Sequence, residues 1–596
     1  MKPVVFNGHA GWLHAADGDC GVVLCNPLGH EAIWLHQAMR QFADALASRG
    51  LPVLRFDYLG TGDSTDTGAW VRPGDWVAEV VEAADWLKRA TSIARVSLAG
   101  FRLGGTVAAL AARQVEIESI AMFAPVASGR LFLREMNLLH QTWQRKAGLG
   151  NGEAGAPRDV REIFGHRFSA PGFDRLGELD LCAEPASTAS RVLIAHGGQH
   201  DGSEALAAHF ASRGVPVESI DFPNYAEALR PPWLTESPLA MLNEAADWLS
   251  GTVRPGAAAS SRTARDGVHP GLPVQGAVER PVKAGEGRLA GILCEPVRQG
   301  DSSAPVLLIA NTAATHHVGD GRFGVELARQ TALHGYLSLR VDADGIGDSD
   351  GEAPLSVPGR ITYDSMTTDL SCWVDWLAAR GHQQIVIFGI CAGAYTAMMT
   401  ARDHPAVRGL MLVNPASFLL PENCTVQQAA RLVRGSPRTN LRSMVRIAKW
   451  HQVLRGEVSL APVARTLWRH GTVRVQRLLA ACSRQRLFNS SASCQVQRMF
   501  RRMDAAGTRV RLLFSPRDHA LDEFYMHFGI GRHRLERFER LDARVLGEMD
   551  HEVLDRRARD SVSAECFALL HELSLAARTA PASPVAPGAQ AEFTLI

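Results

Sequence analysis

The pattern L-R-x-D-x-x-G-x-G-D-S occurs twice in this chain, so the fold that accommodates it has to be built twice. It runs from Leu54 to Ser64 in the first half and from Leu339 to Ser349 in the second. Each copy is followed by an apolar stretch that enters a Gly-rich turn, Arg95–Gly105 in one half and Gln384–Ala394 in the other. A further apolar stretch then ends in Ala124-Pro125 or Asn414-Pro415. Landmarks repeated in one order mark duplication of a whole unit. The chain has 596 residues, too many for one hydrophobic core, and two large domains are expected on length alone.

Short continuous apolar runs alternate with helical patterns in both halves, which indicates parallel strands buried on both faces. In the second half strands are expected near 288–294, 305–311, 336–342, 384–389, 408–414, 508–514 and 543–548. The fold class is α/β: two tandem, mostly parallel, doubly wound sheets, each with a helical insertion after its sixth strand. Ligands of such sheets bind at the carboxyl ends of the strands. The expected organisation is a first domain over 1–250, a Gly/Ala/Ser/Pro-rich linker over 251–280, a second domain over 281–576 with a cap at about 418–505, and a disordered tail over 577–596.

The turn Gly389-Ile390-Cys391-Ala392-Gly393 has the strand–G-x-X-x-G–helix form of a nucleophile elbow, with cysteine as the exposed residue. A cysteine so placed needs a base to generate thiolate and an acid to orient that base. Asp518 follows the apolar run 509–514 and His551 follows 543–549, giving the order nucleophile, acid, histidine. Asp522 is the rival acid, and His519 is read as a loop histidine beside the site. The oxyanion hole is expected from the backbone N–H groups of Ala392 and Thr312. Asn311, His316 and His317 lie on the same loop as Thr312 and are candidate pocket residues; the histidine pair is read as polar loop residues rather than metal ligands. No cofactor and no metal are expected.

The first half places Arg102 at its elbow, Gly100-Phe101-Arg102-Leu103-Gly104, and no histidine follows its last apolar run. A guanidinium stays protonated and cannot attack a carbonyl. This domain is expected to be non-catalytic, with Arg102 either gripping a carboxylate or phosphate or paired internally with Asp201 or Glu31. Between 425 and 503 about sixteen Lys/Arg stand against one acidic residue, Glu457. A basic cap suits an anionic partner such as an acyl carrier protein, coenzyme A, an acidic polysaccharide or an anionic membrane surface; a solvated Arg-rich face is the plainer reading.

These motifs resemble the α/β-hydrolase superfamily, in its serine aminopeptidase-like (monoglyceride lipase-like) branch, across most of 20–250 and 280–575. The first half, with its arginine elbow, is similar to hydrolase-like proteins found beside bacterial exopolysaccharide and exosortase genes. The resemblance implies a Cys391–His551–Asp518 triad; cysteine in place of serine argues against peptidase or lipase activity, and dienelactone hydrolase-like enzymes show the fold working with cysteine. The expected function is an esterase, thioesterase or acyltransferase acting on an acyl ester or thioester through an acyl-cysteine. The alternatives are an acyltransferase modifying an exopolysaccharide or natural product, and a non-catalytic binding scaffold. A net charge of +1 argues against nucleic acid as a partner. Ten cysteines without metal-ligand or disulfide spacing, and no apolar run of membrane-spanning length, lead to the expectation of a cytoplasmic protein.

Overall fold

The computed structural model describes residues 1–67, 72–149, 159–184, 189–198, 202–251, 271–298, 303–351, 361–433, 492–529 and 532–579. The first sheet contains β1 (Lys2–Phe6), β2 (His9–His14), β3 (Cys20–Cys25), β4 (Val53–Phe56), β5 (Arg95–Phe101), β6 (Ser119–Phe123), β9 (Arg191–His196) and β10 (Val217–Asp221). Its order is β1-β2-β4-β3-β5-β6-β9-β10, antiparallel across β1-β2-β4 and parallel thereafter. The insertion after β6 is the helix Gly129–Ala147 followed by a hairpin, β7 (Val160–Ile163) and β8 (His166–Ser169).

The second sheet contains β11 (Leu272–Val274), β12 (Ala277–Ala284), β13 (Leu289–Pro296), β14 (Val306–Ile309), β15 (Ser338–Val341), β16 (Ile385–Ile390), β17 (Val407–Val413), β18 (Arg509–Phe514) and β19 (Leu541–Val545). Its order, β11-β12-β13-β15-β14-β16-β17-β18-β19, repeats that of the first sheet with one strand added at the edge. β3 and β16 are buried along their whole length because helices cover both faces, which is why their sequences are apolar at every position. Each sheet accordingly has a core on either side.

The stretch expected as linker ends sooner than 280. β11 and the first half of β12 fall inside it, pairing antiparallel at the sheet edge. At the other end, the helix Arg556–Thr579 runs just past the expected domain boundary at 576. Most of the basic cap, 434–491, lies outside the described residues, as does Asp201.

The repeated pattern has two structural jobs. Within each domain its aspartate, glycine and serine build the turn. Asp57 accepts from the Asp63 N–H (2.9 Å) and Asp342 from the Asp348 N–H (3.0 Å), while Ser64 and Ser349 donate to the carbonyls of Asp57 and Asp342. A Cβ on Gly62 or Gly347 would lie 2.1 Å from that carboxylate. Between domains the remaining charges are exchanged reciprocally: Arg55 donates to Asp348 (2.8 Å), and Arg340 donates to Asp63. Duplication has thus produced a pseudo-twofold contact of the kind a symmetric dimer forms. His317 sits in the middle, Nδ1 2.6 Å from Asp342 and Nε2 2.7 Å from Asp63. Arg340 is fully buried and shares Glu279 with Arg329.

Candidate active site

Cys391 is the hinge between β16 and the helix Ala392–Asp403, with φ 53° and ψ −109°. A non-glycine residue in this region is strained and has to be held by its surroundings. Its N–H donates to the Val413 carbonyl (3.0 Å), and its carbonyl accepts from Ala416 (2.9 Å). The flanking glycines are needed because the chain crosses itself: a Cβ on Gly389 would lie 2.3 Å from the Gly393 backbone, and one on Gly393 would lie 2.6 Å from the Asn311 carbonyl. Arg102 has the same geometry in the first domain (φ 52°, ψ −123°) and likewise donates its N–H to the neighbouring strand, at Phe123.

Asp518 follows β18 and caps the helix His519–Phe528, accepting from the Ala520 N–H (2.8 Å). Its other oxygen accepts from His551 Nδ1 at 2.5 Å. His551 lines the same cavity as Cys391. Asp522 lies in the first turn of that helix, so of the two candidate acids it is Asp518 that meets the histidine. Burial disfavours the imidazolium, but the opposing charges of Asp518 and Cys391 outweigh it and raise His551 well above its ordinary value. Burial would likewise raise the Asp518 carboxyl, yet His551 holds it down at about 2.

The loop carrying His551 is fixed by residues to which the sequence reading assigned no role. Asn414, at the end of β17, donates to the carbonyls of Asp550 (3.1 Å) and His551 (3.0 Å) and accepts from the Ser515 N–H (2.8 Å). The Ser515 hydroxyl donates to the Asp550 carbonyl (2.7 Å), and the Asp550 carboxylate accepts from the N–H groups of Glu552, Leu554 and Asp555. One amide thus ties together three strand ends. Asn414 has a positive φ of 42°, which asparagine tolerates better than most residues. His519 is also more than a loop residue: its Nδ1 lies 3.2 Å from Asp518, and its Nε2 meets the Ala416 carbonyl at 3.0 Å.

Ala392 opens its helix, so its N–H has no intrahelical acceptor. Thr312 lines the same cavity as Cys391, as an oxyanion hole would require. Asn311 and His316 do not line this cavity. Asn311 is consumed in shaping its loop, donating to Thr315 and Asp342 and accepting from Ala343. His316 is buried at the domain interface, stacked on His36 with 4.0 Å between ring centroids. Arg102 is not open to a ligand either, because it donates to Glu31 (3.0 Å) and Glu135 (2.7 Å) beneath Phe132 and Tyr225. The internal ion pair is therefore the reading that holds for Arg102, with Glu135 as the partner sequence did not suggest.

The cavity above Cys391 has a volume of about 620 Å³, within the range of pockets that enclose a small-molecule ligand. The histidine, the cysteine and the topology of the sheet place this site at the carboxyl ends of parallel strands, where such folds keep their chemistry. Residues 317–501 match the serine aminopeptidase S33 family. The two sheets have the α/β-hydrolase fold. The second domain, which contains the matched residues, is of hydrolase type; Asp518 and His551 lie beyond the matched segment.

No curated protein matches the chain. Among solved structures it is similar to Est1E from Butyrivibrio proteoclasticus with ferulic acid bound (17% identity, 42% of this chain and 97% of that one, TM-score 0.31). Two further similar structures are dienelactone hydrolase from Anabaena variabilis (12%, 50% and 98%, 0.30) and mouse alpha/beta hydrolase domain-containing protein 10 (12%, 50% and 99%, 0.29). No helix among the described residues is long and apolar enough to cross a membrane.

Proposed function

We propose that the second domain forms an acyl–Cys391 thioester from an ester or thioester and passes the acyl group to water or to a hydroxyl acceptor. The observation that carries this reading is the Asp518–His551 hydrogen bond at the wall of a cavity that the elbow residue Cys391 also lines. The Cys391 thiolate attacks the carbonyl carbon. The C–O or C–S bond to the leaving group breaks, and His551 gives that group its proton. In the second half, His551 takes the proton of the acceptor hydroxyl, the acceptor attacks the thioester, and the thiolate leaves. The N–H groups of Ala392 and Thr312 stabilise the oxyanion of each tetrahedral intermediate. Asp518 fixes the tautomer and orientation of His551.

Water as acceptor makes the enzyme an esterase or thioesterase; a sugar or carrier hydroxyl makes it an acyltransferase. An anionic donor such as an acyl carrier protein or coenzyme A thioester would meet Lys146 and Arg517, both cationic, at the cavity. The test is thiol alkylation mapped by peptide mass spectrometry at neutral pH. Cys391 is expected to react with iodoacetamide at least about tenfold faster than the other cysteines, as an activated thiolate does. Reaction no faster than that of the other partly exposed cysteines, such as Cys182 and Cys372, would leave both domains as binding scaffolds.

A further inference from the structure

The other domain contributes a wall to the cavity over Cys391. Trp34 on the first domain's helix His30–Ser48, Trp143 on its helix Gly129–Ala147 and Phe164 at the tip of its β7–β8 hairpin all face the same space as Cys391, His551 and Tyr363. The three rings form one wall, with Trp34–Phe164 and Trp143–Phe164 centroids 6.5 Å and 6.0 Å apart and His30 and His140 filling the gaps.

The placement is held from the second domain. Phe164 and Gly165 both have positive φ, 48° and 76°, the conformation of a two-residue type I′ hairpin. That turn ordinarily prefers Asn, Asp or Gly at its first position, so a bulky ring there is strained. Arg559 donates to the carbonyls of Gly165 (3.2 Å) and Gly321 (2.8 Å), clamping the hairpin tip of one domain to a loop of the other. A Cβ on Gly165 would lie 2.0 Å from that guanidinium. The C-terminal end of the Trp143 helix is covered in the same way, since a Cβ on Gly148 would lie 1.4 Å from Arg517. A cation over a helix C-terminus is favourably placed.

From this wall we infer that the non-catalytic first domain is the acyl-binding half of the active site, and that it selects long apolar acyl groups over short ones. This rests on the acyl-transfer reading for its chemistry but not for its binding. The two histidines of the wall add no charge to it: burial pushes His30 down to about 3 and His140 down to about 4, so both rings are neutral at pH 7. Burial, with Glu552 nearby, also pushes the cavity carboxyl Asp320 up to about 7. An aromatic wall has its largest affinity for methylene-rich ligands, because each CH₂ buried against it is removed from water.

The experiment is calorimetric binding of laurate and butyrate to the full chain, to Phe164→Ala and Trp143→Ala, and to Cys391→Ala. Laurate is expected to bind at least about a hundredfold more tightly than butyrate. Each alanine variant should weaken laurate on the order of tenfold, and Trp143→Phe, which keeps a ring on the same helix, should recover most of the loss. Equal affinity for the two acids, or laurate binding indifferent to both wall variants, overturns the inference. Cys391→Ala should keep the laurate preference. If it does while the wild type forms no acyl adduct, the acyl-transfer reading fails and the apolar site stands. If the wild type is acylated but shows no chain-length preference, the reverse holds.

Discussion

Replacing Asp63 by asparagine should loosen the junction on which the shared cavity depends. Asp63 belongs to the first domain, yet it accepts from Arg340 and His317 of the second, both buried. Without its charge, Arg340 retains only Glu279, which is already shared with Arg329. Removing one partner from a buried ion pair typically costs about 3–5 kcal/mol, because the remaining charge stays out of water. At roughly 2–4 °C per kcal/mol for a domain of this size, the first melting transition should fall by on the order of 10 °C. Differential scanning calorimetry is the assay, since a two-domain chain need not unfold in one step. The pH dependence gives a second readout. Burial would raise Asp63, but His317 and Arg340 hold it well below its ordinary value. Its contribution is therefore complete above about pH 4 and is lost as pH falls through the depressed folded value. Burial would lower His317, but Asp342 and Asp63 raise it well above 6.5. That contribution is complete below about pH 6.5 and is lost as pH rises through the raised folded value. The variant should lose the acid-side dependence due to Asp63. A fall of less than about 2 °C, with an unchanged pH profile, would show that the network does not couple the domains.

Two further outcomes are expected. Asp518→Asn removes the main charge that raises His551; its titration, followed by NMR, should drop toward the ordinary value near 6.5, and alkylation of Cys391 at pH 7 should slow about tenfold or more. Arg102→Met leaves the buried Glu31 without its cation, so thermal unfolding should show the first domain destabilised by about 3 kcal/mol.

The parts of this structure that were legible in the sequence are those with a local or periodic signature. Fully buried strands such as β16 read as unbroken apolar runs, and the elbow read as two glycines around Cys391. Asp518 and His551 followed from their positions just beyond apolar strands. β11, the edge strand, and β12 beside it were missed because their sequences are mixed polar, Pro273 and Pro281 included, and the first of them follows a Gly/Ala-rich stretch. The repeated pattern announced duplication but not the exchange of Arg55 and Arg340 across the interface, since a contact between residues nearly three hundred positions apart leaves no spacing to read. His316 was misplaced for the same reason: its partner, His36, lies on the other domain. The aromatic wall was invisible because Trp34, Trp143 and Phe164 read as ordinary apolar residues of a domain with arginine at its elbow.

The central claim is covalent catalysis at Cys391, and intact-protein mass spectrometry tests it most directly. Wild type and Cys391→Ala are incubated with p-nitrophenyl butyrate, p-nitrophenyl laurate and lauroyl-coenzyme A, quenched in acid and weighed. One acyl adduct on the wild type, absent from the variant and mapped to the peptide containing Cys391, is the predicted result. No adduct from any donor, or an adduct of equal yield on Cys391→Ala, would contradict the account.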